Sequence, residues 1–431
     1  MPSLSQPQQP QITLSRRERL ETYVRRFTIN WPTRNHDIIG SKNPEANAKE
    51  VFFLTGTTGT LGSQILAELI MRPYTMRIYA FNRPHPKTSS RQRHESIFLD
   101  KGSSIKLLQD PKVVYVEGDL SVPGFGVAKE LYEEMNKSVT TIIHNAWPVK
   151  FTKPLTDFEV NLRGVRNLID FSLQSPHLSP PRILFMSSIG MVKAWANIPL
   201  IPNTPFMDVD LVGESGYGES KWVAERILAI ASEETELKPL IIRVGQISGG
   251  VNGSWNVNEW FPALVNSVGF VPLQKCANAV IDLRNASSLS FAHIVHPNPI
   301  TWTTLMNFVS HSLNLKIVSI EEWLTKLRFW GSKTRNTKHP AFKLISFYEH
   351  NLYPKDEDIQ RLTEKYQITG LAMFDTEMTS RSIPFDLEQL DKNEVEKWIG
   401  YWSKQPSWVN VGEKGELILG SGHRDTVLAR L

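Results

Sequence analysis

Tyr217 and Lys221 stand four residues apart in the segment YGESK, at the start of a stretch with helical periodicity. Residues at this spacing share one face of a helix, so the phenol and the ammonium are expected side by side. A free tyrosine titrates at about pH 10, and an adjacent ammonium lowers that pKa because it stabilises the phenolate. The pair is therefore typical of acid–base chemistry on an oxygen atom.

Ser187 and Ser188 end a short apolar run, residues 183–186, upstream of this pair. A hydroxyl at that position could hydrogen-bond a carbonyl oxygen beside Tyr217, and Ser188 is the favoured candidate of the two. A group of serine, tyrosine and lysine polarises a carbonyl while hydride arrives from a nucleotide. The residues thus predict a catalytic set of Ser188, Tyr217 and Lys221 for carbonyl reduction. The alternative is a tyrosine–lysine pair that arose by chance.

Three glycines follow the first apolar run of the chain, in the segment TGTTGTLG that begins at Thr55. Gly56, Gly59 and Gly62 recur at intervals of three and lead directly into a helical pattern. Glycines are needed there because the backbone must turn tightly, approach a pyrophosphate and let the helix lie close to the strand. The helix N-terminus that follows offers free N–H groups to a phosphate. This arrangement predicts a dinucleotide-binding turn, and a tight turn without a ligand is the alternative.

The end of the second apolar run distinguishes the two nicotinamide dinucleotides. An acidic residue there binds the 2′-hydroxyl of NAD, whereas an arginine accommodates the 2′-phosphate of NADP. This chain has Asn82 and Arg83 at that place, and a guanidinium can fork onto a phosphate. NADPH is therefore the predicted cofactor, and an arginine that merely lies at the surface is the alternative. Residues that follow later strands are expected to line the same groove: Asp119, Leu120, Asn145 and Ala146.

Six short apolar runs, each of four or five residues, occur between residues 46 and 250. Runs of that length without polar alternation are typical of strands buried on both faces. They alternate with helical patterns at residues 61–71, 155–174 and 218–233. Strand and helix in alternation predict an α/β fold of Rossmann type, a doubly wound parallel sheet with helices on both faces. The predicted strands are residues 51–55, 77–81, 113–116, 141–144, 183–186 and 240–244.

Two flanking regions differ from this pattern. Residues 1–45 are expected to hold a flexible tail and a helix at 15–28, which either packs on the following domain or ends a linker. Residues 251–405 predict a smaller, mostly helical substrate-binding part, and residues 406–431 a C-terminal extension. Eight of the twelve tryptophans lie at or beyond Trp255, which indicates either an aromatic substrate site or the filling of a small core.

The composition excludes several classes of protein. A single cysteine, Cys276, excludes an internal disulfide framework and a cysteine-cluster metal site, and it fits a reducing compartment. No apolar run approaches the roughly 20 residues that cross a bilayer, and the N-terminus has no apolar stretch of signal-peptide type. The net charge of +4 is mild and does not indicate a nucleic-acid binder. We therefore expect a cytoplasmic enzyme with no metal, nucleic acid or membrane partner.

Longer stretches around these motifs resemble a known family. They are HNAWPVKF at residues 144–151, FEVNLRGVRNLIDF at 158–171, YGESKWVAER at 217–226 and RVGQISGGVNGSWNVNEWFPALV at 243–265. Together with the glycine turn they resemble the thioester reductase domains of fungal nonribosomal-peptide-synthetase-like enzymes, which are relatives of carboxylic acid reductases. Such domains are extended short-chain dehydrogenases/reductases, and the resemblance covers residues 45–400.

The resemblance implies NADPH-dependent reduction of an acyl thioester to an aldehyde, and in some relatives onward to an alcohol. The acyl group would be held on the phosphopantetheine arm of a carrier protein acting in trans, or on a CoA-like small thiol. Tyr217 and Ser188 would stabilise the oxyanion. The residues implied at the substrate are Gly245, Gln246, Trp255 and Trp260. The residues implied in cofactor binding are Thr55, Gly56, Thr58, Gly59, Leu61, Gly62, Arg83, Asp119, Leu120, Asn145, Ala146, Tyr217 and Lys221.

Two features depart from the family pattern. Neither an adenylation domain nor a carrier domain is expected in the residues that precede the predicted sheet. The chain is therefore expected to act in trans, to be a fragment, or to use a free thioester or aldehyde. The segment between the Asn-Glu-Trp loop at residues 258–260 and Cys276 is shorter than in the family, so we expect an altered substrate pocket.

Two other functions stay open at this point. One is a generic extended reductase of small carbonyl compounds or of fatty acyl-CoA. The other is a non-catalytic, dinucleotide-binding sensor of redox state, since a fold does not determine a function. An intact set of Ser188, Tyr217 and Lys221 argues against the sensor, because a sensor has no need of an acid–base pair. The aromatic stretch around Trp255 and Trp260 favours the thioester reductase over the generic enzyme.

Overall fold

A computed structural model of the protein describes most of the sheet region and parts of both flanks. The described residues are 14–34, 49–192, 201–256, 270–297, 300, 302–314, 317–318, 320–333, 345, 349, 374–385, 387–405, 410–411, 417–418 and 426–427. Trp260 and the predicted flexible tail before residue 14 lie outside these ranges.

A seven-stranded parallel sheet forms the centre of the molecule. Its strands lie in the spatial order β3–β2–β1–β4–β5–β6–β7, and every neighbouring pair is parallel. The order reverses between β1 and β4, which creates the crevice where sheets of this kind bind their ligands. The strands are β1 Glu50–Thr55, β2 Thr75–Asn82, β3 Val113–Glu117, β4 Thr141–His144, β5 Arg182–Ser188, β6 Leu240–Val244 and β7 Phe291–Ile294.

The predicted Rossmann-type fold is confirmed, and the sheet has one strand more than the sequence indicated. β7 comes after the region where the alternation of strand and helix fades, and its four residues form too short a run to stand out. All four are buried, and they pair with β6, where Ile241 lies opposite Phe291. This edge strand is therefore specified by its neighbour in the sheet more than by its own sequence.

Two layers of helices cover the faces of the sheet. One layer comprises α1 Arg16–Phe27, α4 Lys129–Ser138, α5 Glu159–Leu173 and α6 Gly216–Glu234. The other comprises α2 Thr60–Met71, α3 Ser90–Lys101 and α7 Leu273–Asp282. Successive strand residues serve opposite layers, so that Phe53 packs in the first and Phe52 in the second. Because both faces are buried, the strands read as continuous apolar runs.

Helix α1 packs on the sheet domain and shares its core. Ser15 caps the helix in a reciprocal pair of hydrogen bonds with Glu18. Leu20, Val24 and Phe27, spaced by three and four residues, are buried in the same cluster as residues of α5 and α6. Of the two expectations for this helix, packing on the following domain is the one that the structure shows.

The C-terminal part adds helices beside the sheet. They are α8 Trp302–Leu313, α9 Ile320–Lys333, α10 Glu377–Ser382 and α11 Lys392–Trp402, followed by the short antiparallel strands β8 Asn410–Val411, β9 Leu417–Ile418 and β10 Thr426–Val427. Helices α8 and α11 contribute to an aromatic cluster that holds Trp255, Phe270, Trp398 and Trp402. These tryptophans therefore fill a core. Among the helices within the described ranges, none is both long and apolar enough to cross a bilayer.

Candidate active site

The glycine turn between β1 and α2 forms a tight cradle. Gly56 has a φ of +75°, and a Cβ atom there would lie 2.9 Å from the Cα of Ala146. A Cβ atom on Gly62 would lie 2.1 Å from the carbonyl oxygen of Gly56, so no side chain fits between helix and turn. Gly59 is the N-cap of α2 and has no side chain with which to cap the helix. The backbone therefore presents the helix N-terminus to the cleft, as pyrophosphate binding requires.

A buried hydrogen-bond network behind this cradle holds its shape. The Asn82 side-chain oxygen accepts from the backbone N–H of Thr58 at 3.2 Å, and the Asn82 amide donates to Thr57 Oγ1 at 2.6 Å. Thr57 Oγ1 lies 2.7 Å from Nε2 of His94, whose Nδ1 lies 2.7 Å from the carbonyl oxygen of Ser90. Nδ1 therefore carries the proton, and burial lowers the pKa of His94. The sequence did not indicate this brace, because its members come from three separate elements.

Two predicted cofactor residues lie behind the cleft surface instead of bordering it. Thr55 is fully buried, and its hydroxyl oxygen accepts from the backbone N–H groups of Asn145 and Ala146, both at 3.1 Å. Gly62 faces the Gly56 carbonyl, as described above. Neither residue borders the cleft. Thr55 fixes the end of β4, and Gly62 lets α2 approach the turn.

His144 ends β4 beside the cleft and is neutral. Because the Thr55 hydroxyl oxygen already accepts two N–H groups, its own hydrogen points to Nδ1 of His144 at 2.9 Å. The ring hydrogen therefore sits on Nε2, which has no hydrogen-bond partner within the described part of the chain. Burial, together with the nearby charge of Lys221, lowers the pKa of His144 to about 3.

Two arginines border the end of the cleft next to β2. Arg83 is exposed there. Partial burial acts to raise the pKa of Asp119, but hydrogen bonds from Ser121, helped by the charge of Arg83, hold it below the usual value. Arg93 of α3 was missed. It donates to the Arg83 carbonyl oxygen at 3.0 Å and to Glu117 at 2.9 Å. The available signal was a basic residue in the first turn of the helix that follows β2.

At the other end of the cleft, β5 and α6 bring the catalytic candidates together. The Ser215 hydroxyl caps α6 by accepting from the N–H of Gly218 at 3.0 Å, so Tyr217 lies in the first turn. Tyr217 is 6% exposed, packs edge-on against Phe151 with ring centroids 5.0 Å apart, and lies close enough to Ser188 for the serine hydroxyl to act on its pKa. The Ser187 hydroxyl donates to Glu225 instead. Of the two serines, Ser188 is thus the one that meets the tyrosine.

The pKa of Tyr217 differs from the sequence-based expectation. Burial raises it, and the hydrogen bond from Ser188 only partly opposes that shift. The ammonium of Lys221 donates to the carbonyl oxygen of Met186 at 2.6 Å and lies 5.9 Å from the centre of the tyrosine ring. Burial also lowers the pKa of Lys221 well below its usual value, against the charge of Glu225. The expectation that Lys221 lowers the pKa of Tyr217 is therefore wrong, and the phenol is protonated at neutral pH.

A single cleft of about 1040 Å³ connects these two ends. Trp255 borders its wall but is 2% exposed, with ring centroids 5.0 Å from Trp398 and 5.3 Å from Phe270, so it belongs mainly to the aromatic core. Trp260 lies outside the described residues. The predicted residues that border the cleft are Gly56, Thr58, Gly59, Leu61, Arg83, Asp119, Leu120, Asn145, Ala146, Ser188, Tyr217, Lys221, Gly245, Gln246 and Trp255.

The sequence matches the NAD-binding family described as male sterility protein over residues 54–281. It is 35% identical to the adenylate-forming reductase Nps10 of Heterobasidion annosum, over 91% of this chain and 37% of that protein. It is 28% identical to a carboxylic acid reductase of Neurospora crassa, over 76% of this chain and 33% of that protein. The chain thus spans about a third of the length of these curated relatives.

Among solved structures, the terminal R domain from the myxalamid PKS-NRPS biosynthetic pathway has a similar fold. It superposes with a TM-score of 0.72 over 89% of this chain and 97% of that domain, with 19% sequence identity. At this identity the likeness shows the fold alone. It agrees with a Rossmann-type parallel sheet with flanking helices.

Proposed function

The chain belongs to the male sterility protein family, and from this premise we propose that it is a thioester reductase domain that uses NADPH to reduce an acyl thioester to an aldehyde. The observation that carries the proposal is the single cleft, which has arginines at one end and the Ser188–Tyr217 pair at the other. An enzyme that brings hydride to a carbonyl needs both ends in one groove, because the nucleotide must extend from its phosphates to the reacting atom.

The residues at the cradle fit a bound dinucleotide. The tight turn at Gly56 and the open N-terminus of α2 suit a pyrophosphate. Arg83 and Arg93 would hold the 2′-phosphate of NADPH, and Asn145 and Ala146 would line the groove between the two ends. When bound, NADPH would supply the hydride.

The chemistry of the protein's own groups is oxyanion stabilisation and proton donation. The hydroxyls of Ser188 and Tyr217 lie together, so both can donate to one carbonyl oxygen. Tyr217 can give up a proton there because burial keeps its phenol protonated at neutral pH. The carbonyl carbon of the thioester gains the hydride and its oxygen takes the Tyr217 proton. The C–S bond then breaks, C=O re-forms as the hydroxyl proton returns to Tyr217, and the leaving thiolate takes up a proton from solvent. Lys221 would turn from the Met186 carbonyl to the nicotinamide ribose.

The acyl group in this proposal is carried on the phosphopantetheine arm of a carrier protein in trans, or on a CoA-like thiol. The names of the relatives, adenylate-forming reductase and carboxylic acid reductase, support a substrate that is activated before reduction. A second reduction of the aldehyde to an alcohol would use the same groups. We also propose a cytoplasmic location, which the single cysteine supports: Cys276 is a buried thiol whose pKa burial raises to about 12.

We expect Arg83→Ala to weaken NADPH binding about tenfold to a hundredfold, because charge-assisted hydrogen bonds to the 2′-phosphate are lost. NADH, which lacks that phosphate, should bind nearly as before. Fluorescence titration of the reduced nucleotides would measure both affinities. Arg91→Ala is the matched control, since Arg91 is exposed in α3 and pairs with Glu95. An equal loss of affinity for both nucleotides would show that Arg83 does not bind the 2′-phosphate of NADPH.

The test of the proposed function is oxidation of NADPH by the purified chain, followed through the absorbance of the reduced nicotinamide. Short acyl-CoA and N-acetylcysteamine thioesters are offered beside the matching aldehydes, with NADH as the comparison cofactor. Turnover of thioesters supports the proposal. Turnover of aldehydes alone would indicate a generic carbonyl reductase, and tight NADPH binding without any turnover would indicate a sensor.

A further inference from the structure

Arg16, in the first turn of α1, makes four hydrogen bonds to the region around the candidate catalytic tyrosine. Its Nε lies 2.8 Å from the carboxylate of Glu219, and its terminal nitrogens donate to the carbonyl oxygens of Val209, Val212 and Gly213, each at 3.0 Å. One guanidinium thus satisfies a carboxylate and three carbonyls. Only a planar group with several fixed donors can do this, and an ammonium cannot.

The acceptor of the ion pair lies two residues after Tyr217. Glu219 belongs to the first turn of α6, is buried, and also accepts from Arg19 at 3.2 Å. A buried carboxylate without a partner is costly, so the ion pair fixes the start of α6 against α1. Because the tyrosine lies in the same helical turn, the pair also fixes where the phenol stands.

The three carbonyls belong to a loop that is bound, on its other side, to the turn after Ser188. The N–H of Gly213 donates to the carbonyl oxygen of Met191 at 2.9 Å, and Val192 pairs with Val212 in an isolated bridge. The Ser188 hydroxyl in turn accepts from the N–H of Gly190 at 3.0 Å. The loop therefore connects the strand end that carries the serine with the arginine of α1.

We propose that Arg16 is a positioning residue for Ser188 and Tyr217, so that α1 is part of the support of the active site. The inference rests on the proposed function, in which these two hydroxyls act on one carbonyl oxygen. The guanidinium binds the loop at residues 209–213, which precedes Tyr217, directly. That loop in turn binds Met191, in the turn after Ser188. Loss of the guanidinium would let the two hydroxyls drift apart while leaving the nucleotide cradle untouched.

Arg16 can be replaced without detaching the helix. Leu20, Val24 and Phe27 anchor α1 in the core of the sheet domain. This apolar packing is separate from the hydrogen bonds that Arg16 makes. Arg16→Gln is therefore expected to fold. Arg17→Gln is the matched control on the same helix, because Arg17 pairs with the exposed carboxylate of Asp208.

The experiment compares steady-state kinetics of the full chain and these two variants. Arg16→Gln is expected to lower kcat about tenfold to a hundredfold, the usual cost of misplacing reacting groups, with the KM for NADPH little changed. Arg17→Gln should keep the kcat of the wild type. Glu219→Gln, which keeps an acceptor but loses the charge, should fall between them. A kcat for Arg16→Gln equal to that of the control overturns the proposal, as does a loss confined to KM.

Amide hydrogen exchange gives a readout that does not depend on activity. In Arg16→Gln, residues 208–220 should exchange faster than in the wild type, while the strands at 50–55 and 75–82 keep their protection. Unchanged exchange at 208–220 overturns the proposal. If the wild type reduces no carbonyl substrate, the proposed function fails, and faster exchange would still establish the contact that the inference needs.

Discussion

Tyr217→Phe should lower kcat by about two to four orders of magnitude, the range that a positioned general acid contributes. The phenol is buried beside Ser188 and kept protonated by burial, so it is placed to donate a proton to a carbonyl oxygen. Phenylalanine keeps the ring and its edge contact with Phe151, whose centroid is 5.0 Å away. Only the hydroxyl is removed. The affinity for NADPH should stay the same, because the cradle lies at the far end of the cleft.

The measurement is kcat with a thioester or aldehyde that the wild type reduces, together with the Kd of NADPH. Tyr115→Phe is a matched control, since its hydroxyl donates to the carbonyl oxygen of Leu108 at 2.8 Å and does not border the cleft. Ser188→Ala should lose less than Tyr217→Phe, because the proton donor is still present. A Tyr217→Phe enzyme that turns over as fast as the control would mean that another group protonates the oxygen.

Glu225→Ala should destabilise the fold by about 3–5 kcal/mol, because it leaves a buried guanidinium without its counter-charge. The side chains of Glu225 and Arg243 are 3% and 0% exposed, and their closest atoms lie 2.7 Å apart. Arg243 also donates to the carbonyl oxygen of Thr204 at 2.9 Å and lies over the rings of Phe206 and Phe291. It therefore cannot reach water without breaking the packing between β6, β7 and the loop beside them.

Urea unfolding of the wild type and the variant would give the loss in free energy of unfolding. The control is Glu95→Ala, which removes a carboxylate from an exposed ion pair with Arg91 and should leave the unfolding midpoint nearly unchanged. The Ser187 hydroxyl loses its acceptor as well, so activity is expected to fall with stability. A destabilisation below about 1 kcal/mol would mean that water reaches Arg243 in the folded protein.

The parts of this protein that its sequence determined are those set by short stretches of chain. The glycine spacing specifies a turn because only glycine tolerates the φ of Gly56 and the close approach at Gly62. Six of the seven strands were identifiable because each buries both faces and so forms a continuous apolar run. The spacing of Tyr217 and Lys221 placed both on one helix, since four residues are close to one helical turn.

The tertiary structure decided what depends on residues far apart in the chain. Both serines were identifiable, but only the packing of β5 against α6 shows that Ser188 meets Tyr217 and that Ser187 meets Glu225. Arg93 stands beside Arg83 because α3 folds back over the end of β2. The pKa of Tyr217 follows its burial and not its distance from Lys221 along the helix. In each case the outcome depends on a contact between distant residues or on burial away from solvent. A local pattern of residues predicts neither.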